Sequence, residues 1–281
     1  MKRFLSEVLC LVIVLSLSAC GKVPAMEKVS QFVSNAILSD NVGSYYGGEC
    51  RAEGHIILGY SVYGNCLKVY ALTMYGNYGF RNDMLVKVSG SGAIPAVLTF
   101  EKNGEEFIFL KMEYPQDGAG YVQSIKQMFP LKYRASALHC DNAYDELKVL
   151  ERKYAEDYLK SIGRESDIGE FGDLDAVLLT DLGISVEVSN LLLRDKNLGD
   201  YPFWTGTAEY LENGIRYVRS LSYDEKNGLI IYSTVEKGTG EITECFVFDA
   251  STGEPRSSGA VISQMAPAGL PATTDDTETD H

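Results

Sequence analysis

Residues able to do chemistry are sparse in this chain, and their spacing says more than their number. The sequence holds three histidines and six cysteines. No H-E-x-x-H puts two imidazoles on one helix face with a carboxylate between them, so a zinc-peptidase centre is not expected. His55, His139 and the cysteines lack C-x-x-C and H-x-x-x-H spacing, so neither a metal nor any other cofactor is expected. No serine stands three residues before a lysine, which removes the S-x-x-K nucleophile of penicillin-recognising enzymes. Ser89-Gly90-Ser91-Gly92 is glycine-rich like a phosphate cradle, but it leads into Ile94-Pro95 and a strand, whereas a cradle needs a helix N-terminus. A calcium loop opening at Asp167 would place Gly169 and Phe171 at its third and fifth positions, and neither offers a side-chain oxygen. What remains are carboxylates such as Asp117, Asp173 and Asp175, which could act as acid and base if the fold paired them. The expectation is therefore a non-enzymatic module that binds a ligand or partner, with a carboxylate-based hydrolase as the alternative.

Cys20 is the one sulfur whose neighbours point to a defined reaction. Lys2 and Arg3 precede an apolar run from Val8 to Leu17, too short to span a bilayer and suited to the core of a signal peptide. Leu17-Ser18-Ala19-Cys20-Gly21 closes that run and resembles the lipobox of bacterial lipoproteins. Ser18 and Ala19 keep the cleavage site slim, and the Cys20 thiol can accept a diacylglyceryl thioether. The resemblance implies cleavage before Cys20 and further acylation of its freed amine. One acyl chain holds a protein marginally, at about 0.8 kcal/mol per buried methylene, so two or three chains make a stable anchor. Glu7, an acidic residue near the start of the run, departs from the usual pattern. The expected location is the extracytoplasmic face of the cell membrane, with membrane lipid as the partner through acylated Cys20.

Charge narrows the partners further. The chain carries a net charge of -14, and loss of Lys2, Arg3 and Glu7 with the signal peptide leaves it one unit more negative. Such a surface repels nucleic acid and anionic lipid, so no nucleic-acid partner is expected and retention at a membrane falls to covalent lipid. A membrane protein or a cell-wall ligand is the remaining partner class. Beyond Cys10 and Cys20, the cysteines Cys50, Cys66, Cys140 and Cys245 allow three pairings or four free thiols, and a chain of this length can fold on core burial alone.

The elements that must position any site read as an α+β fold. Val29, Phe32, Val33 and Ile37 fall at helical spacing between Met26 and Leu38. Alternating strands His55 to Tyr63 and Cys66 to Tyr75 flank the turn Gly64-Asn65, and Ala96 to Lys102 and Glu105 to Tyr114 flank Asn103-Gly104. In the last of these, Ile108, Leu110, Met112 and Tyr114 are expected to share a face. A short helix is predicted near Tyr121 to Phe129. A long amphipathic one follows from Asn142 to Ile162, with the stripe Tyr144, Leu147, Leu150, Tyr154, Tyr158 and Ile162. Val186 to Leu193 suits a brief helix. Four strands near Trp204 to Leu211, Ile215 to Tyr223, Leu229 to Val235 and Ile242 to Phe248 make a smaller antiparallel β-meander. The tyrosines Tyr45, Tyr46, Tyr60, Tyr63, Tyr70, Tyr75 and Tyr78 suit cross-strand packing better than a ligand groove. The expected organisation is a signal peptide over 1–19, a lipidated tether over 20–25, an α+β domain of one helix, about four antiparallel strands and the long helix over 26–163, a linker with a short helix over 164–200, the meander domain over 201–256 and a disordered acidic tail over 257–281.

Taken as a set, VSNAILSDN, AEGHIILG, VYALTMYGNYGF, SGSGAIPAVLTFEKNGEEF, MEYPQDGAGYVQSIKQMFP and YPFWTGTAEYLENGIRYV carry a resemblance. They resemble the extracytoplasmic region of antirepressor-type membrane metallopeptidases of Gram-positive bacteria, the class that includes β-lactam sensors. The resemblance covers Val29 to Pro130 and, more loosely, Tyr201 to Glu254. The zinc motif of that class and a penicillin-binding serine do not occur in this sequence. What the resemblance implies is an outward-facing sensor or accessory module, perched on a lipid tether, or an accessory subunit of a membrane sensor-peptidase.

Overall fold

The computed structural model describes residues 25–104, 106–257 and 259. The signal peptide, Cys20 and nearly all of the acidic tail lie outside the described residues. The fold is α+β, and the described residues form five α-helices and an extensive, mainly antiparallel set of strands. Two compact units divide the described residues: 25–46, 51–76 and 90–154 belong to the first, and 47–50, 77–89 and 155–257 to the second.

In the first unit, helix α1 (Met26–Asp40) buries Val29, Val33 and Ile37 as helical spacing predicts, with Ala36 beside them, while Phe32 is only partly buried against the same core. Asn41 closes it, its side-chain amide donating to the Ile37 carbonyl at 2.9 Å. Strands β1 (Cys50–Tyr63) and β2 (Cys66–Arg81) follow, then β3 (Met84–Gly90), β4 (Ile94–Asn103) and β5 (Glu106–Glu113). Within this unit the strand order is β1, β2, β4, β5. Successive residues of β2 serve opposite faces. Leu67, Val69, Ala71 and Tyr75 pack with Ala96, Leu98 and Phe100 against α1. Tyr70, Leu72 and Met74 pack the other way, against helix α2 (Tyr121–Met128), helix α3 (Arg134–Leu138) and helix α4 (Tyr144–Ser161). The sheet is thus covered on both faces, which is why β2 is almost wholly buried rather than half-buried.

Three expectations need correction here. Met112 does not share a face with Ile108 and Leu110. Phe100 pairs with Phe109 but Thr99 with Lys111, so Leu110 is an extra residue at a β-bulge. Phe107 and Phe109 therefore point to the α1 side, Met112 rejoins them after the bulge, and Ile108 and Leu110 are exposed. The buried line of α4 is Leu147, Glu151, Ala155 and Leu159, whereas Tyr144, Leu150 and Ile162 are each more than a third exposed. The reason is close approach: an ideal Cβ on Gly54 of β1 would stand 2.2 Å from the Leu147 carbonyl oxygen, so the helix comes in by its backbone.

The third correction concerns organisation. The second unit takes in Asn77–Arg81 of β2 and nearly all of β3, although in sequence both lie between two stretches of the first unit. Asn82 and Asp83 join them with φ of 47° and 62°, the left-handed pair that a tight two-residue hairpin turn requires. The strands of this unit are β6 (Ile168–Glu170), β7 (Gly206–Glu212), β8 (Ile215–Asp224), β9 (Leu229–Glu236), β10 (Ile242–Asp249) and β11 (Pro255–Arg256). They run β11, β10, β9, β8, β7, the end of β2, β3, β6, and β6 lies parallel to β3. The segment 164–200 is part of this core rather than a linker. Leu179, Ile184, Leu198 and, on helix α5 (Val186–Leu193), Val188 and Leu192 cover the meander residues Leu221, Ile230, Tyr232 and Phe248. A meander has an apolar face to bury, and this segment buries it.

Candidate functional site

The first unit contains a cavity of about 670 Å³, a size typical of small-molecule sites. The end of α1 supplies Asp40 and Asn41, the start of β4 supplies Ile94 and Pro95, and the stretch after β5 supplies Tyr114, Pro115 and Asp117. Tyr121, Cys140 and Asp141 complete it from the helical side, and Tyr45 closes it from the loop after α1. Three carboxylates and three phenols line this space, and no lysine, arginine or histidine is among its lining residues. Burial raises the Asp40 carboxyl above its ordinary value. Burial, with Asp40 adding to it against the bond to Asn41, pushes Tyr114 up to about 12. Tyr121 and Cys140 are raised too, first by burial. The Tyr114 and Tyr121 phenols and the Cys140 thiol are therefore protonated at neutral pH, and that thiol donates to the Ala93 carbonyl at 3.3 Å. The field inside such a space is negative and suits a cation, with aromatic faces available to it.

A second constellation in the same unit links α1, β1 and α4. Ser30 Oγ lies 2.7 Å from His55 Nε2. His55 Nδ1 lies 2.9 Å from Glu53 Oε2 and 3.1 Å from Oε1. The Tyr154 hydroxyl donates to Glu53 Oε1 at 2.8 Å and lies 2.6 Å from Ser34 Oγ. Glu53 and His55 alternate onto one side of β1, and Ser30 and Ser34 sit one turn apart on α1. The Glu53 side chain is 3% exposed and that of His55 12%. Burial, opposed by the bond to Ser34, pushes Tyr154 up to about 12, so it remains a donor.

In the second unit the charged groups form a closed set. Arg164 grips Glu209 with two bonds of 2.7 and 2.9 Å. Arg216 reaches Glu209 at 3.0 Å and Glu49 at 2.7 Å, and Lys237 donates to Glu209 as well. The Arg164 guanidinium lies 3.4 Å from the centre of the Phe80 ring and 3.2 Å from Asp83. Three cations thus face the three anions Glu49, Asp83 and Glu209, an arrangement that holds strands together and leaves no net charge for a ligand.

Of the residues singled out from sequence, Asp117 lines the cavity of the first unit, while Asp173 and Asp175 belong to the second. Asp173 is occupied in its own turn, accepting the Glu170 amide at 2.8 Å. Cys50, Cys66, Cys140 and Cys245 are all free thiols, and no group of three His, Cys, Asp or Glu among the described residues could hold a metal ion. Most of the clustered tyrosines pack: Tyr45 stacks on Tyr75, and Tyr70 lies against Phe129 and Tyr133. Sequence reading missed the Ser30, His55, Glu53 set. Its one trace was the Glu-x-His alternation on a strand. No helix among the described residues is long and apolar enough to cross a membrane. No protein family, curated protein or solved structure matches this chain.

Proposed function

We propose that this protein is a surface lipoprotein, held at the extracytoplasmic face by acylated Cys20, whose first unit binds a small ligand carrying a basic group. The observation that carries the reading is the cavity of about 670 Å³ lined by Asp40, Asp117, Asp141 and three tyrosines. Carboxylates pair with an ammonium or guanidinium, and tyrosine faces add cation–π attraction of about 0.5–2 kcal/mol. The pattern Leu17-Ser18-Ala19-Cys20 supports the anchor, since a chain this acidic needs a covalent tether to stay at an anionic surface.

The test uses the mature protein and two matched sets of small compounds, amines and guanidines against carboxylic acids of similar size. At least one basic compound is expected to raise the melting temperature in a saturable way. Asp40→Asn should weaken that effect, and Ala93→Trp, which fills the cavity, should abolish it while the unliganded protein still melts cooperatively. Equal responses to acids and bases, or a shift that survives Ala93→Trp, would refute the assignment.

A further inference from the structure

The polar chain through α1 and β1 is laid out as a nucleophile, its base and an orienting carboxylate, independently of the cavity. We propose that Ser30, His55 and Glu53 form a nucleophilic acyl-transfer site that acts on esters, with Ser30 Oγ as the attacking atom.

Hydrogen-bond bookkeeping fixes the direction of the chain. Glu53 is an acceptor for the Tyr154 hydroxyl and, within 3.1 Å through both oxygens, for His55 Nδ1. In the neutral imidazole the single proton therefore sits on Nδ1, and Nε2 presents its lone pair to Ser30. The Ser30 hydroxyl must donate, which aims its proton at a base 2.7 Å away. When that proton moves, the new imidazolium faces a nearly buried carboxylate at 2.9 Å. Glu53 acts through His55 and is a positioning residue, and Tyr154 in turn positions Glu53. Ser30 is half-buried rather than sealed in the core. Tying α1 to its neighbours does not by itself require this second link, because Ser34 and Tyr154 already make one.

The reaction balances with no additional component but water. Ser30 Oγ bonds to the ester carbonyl carbon as its proton passes to His55 Nε2. Collapse breaks the bond to the alkoxy group, which leaves as the alcohol with that proton, and Ser30 is left acylated. Water then attacks with His55 again as base, releasing the carboxylic acid and restoring the Ser30 hydroxyl.

A fluorophosphonate, which phosphonylates an activated serine with loss of fluoride, tests this on the full mature chain. Intact mass and peptide mapping are expected to find one adduct, on Ser30, formed at least about a hundredfold faster than in the urea-unfolded protein. His55→Ala should lose the labelling and regain part of it when imidazole is added, a rescue that a structural role would not produce. Glu53→Gln should slow it about tenfold or more, and Glu53→Asp, which keeps the charge, should retain most of it. No adduct on the folded wild-type protein, an adduct at another residue, or undiminished labelling in His55→Ala overturns the proposal.

Discussion

Glu209 shows how much one side chain can carry in this molecule. It sits on β7 with 3% of its side chain exposed and receives two arginines and a lysine. Burial alone would raise its carboxyl, but the bonds to Arg164 and Lys237 outweigh burial and hold it below the ordinary glutamate value. Its contribution to stability is therefore fully present above the unfolded value, about pH 4.3, and is lost as pH falls through the lower folded value. Glu209→Gln leaves Arg164 and Arg216 without their shared partner and should cost about 3 kcal/mol, read by urea denaturation at pH 7. The variant should also lose part of the wild-type protein's steepening acid sensitivity below about pH 4. Equal stability at pH 7 would show that the network is replaceable. Little local announces this residue: in the β7 sequence GTAEYLE it reads as an ordinary polar position, and although Arg216 follows on the next strand, Arg164 and Lys237 are far from it along the chain.

At the scale of elements, packing overrode periodicity in two places. The bulge at Leu110 turns Phe107 and Phe109 inward and sends Ile108 and Leu110 out, reversing the alternation written in the sequence. Helix α4 lies close enough to β1 that Gly54 meets the Leu147 carbonyl, and its buried line shifts to the i, i+4 row through Glu151 and Ala155. Gly54→Ala should therefore destabilise the protein by about 1–3 kcal/mol, since the new methyl group meets backbone that cannot rotate away. Gly92→Ala, where an added Cβ has nothing within 4 Å, is the control and should change stability by less than about 0.5 kcal/mol. Thermal melts of the two variants decide it, and equal melting temperatures would show that α4 can slide. Elsewhere the elements follow their sequence closely: α5 spans Val186–Leu193 with Ser185 accepting the Val188 amide, as its pattern predicts.

For the molecule as a whole, the proposed anchor and the net charge act against each other, one holding the chain to a surface that the other repels. Cys20→Ala should release the protein into the medium or leave it unprocessed, measured by fractionation and intact mass. The soluble product should fail to sediment with anionic vesicles even at low salt, because a charge of -14 offers no adsorption. Native protein carrying an unmodified thiol at Cys20 would end the anchoring proposal.

The sequence by itself determined the α+β class, the hairpin turn at Gly64-Asn65, the order of the β7–β10 meander and the extent of α5. These depend on alternation, turn residues and caps within a few positions of one another, where local sterics and hydrogen bonding decide. Only the tertiary structure placed the β2–β3 hairpin in the second unit, buried Glu209 among three cations and opened the cavity beside Asp40. It alone brought Ser30 within 2.7 Å of His55. Each of those features joins segments tens of residues apart, and a bond that requires about 3 Å separation is set by how sheets and helices pack rather than by any spacing along the chain.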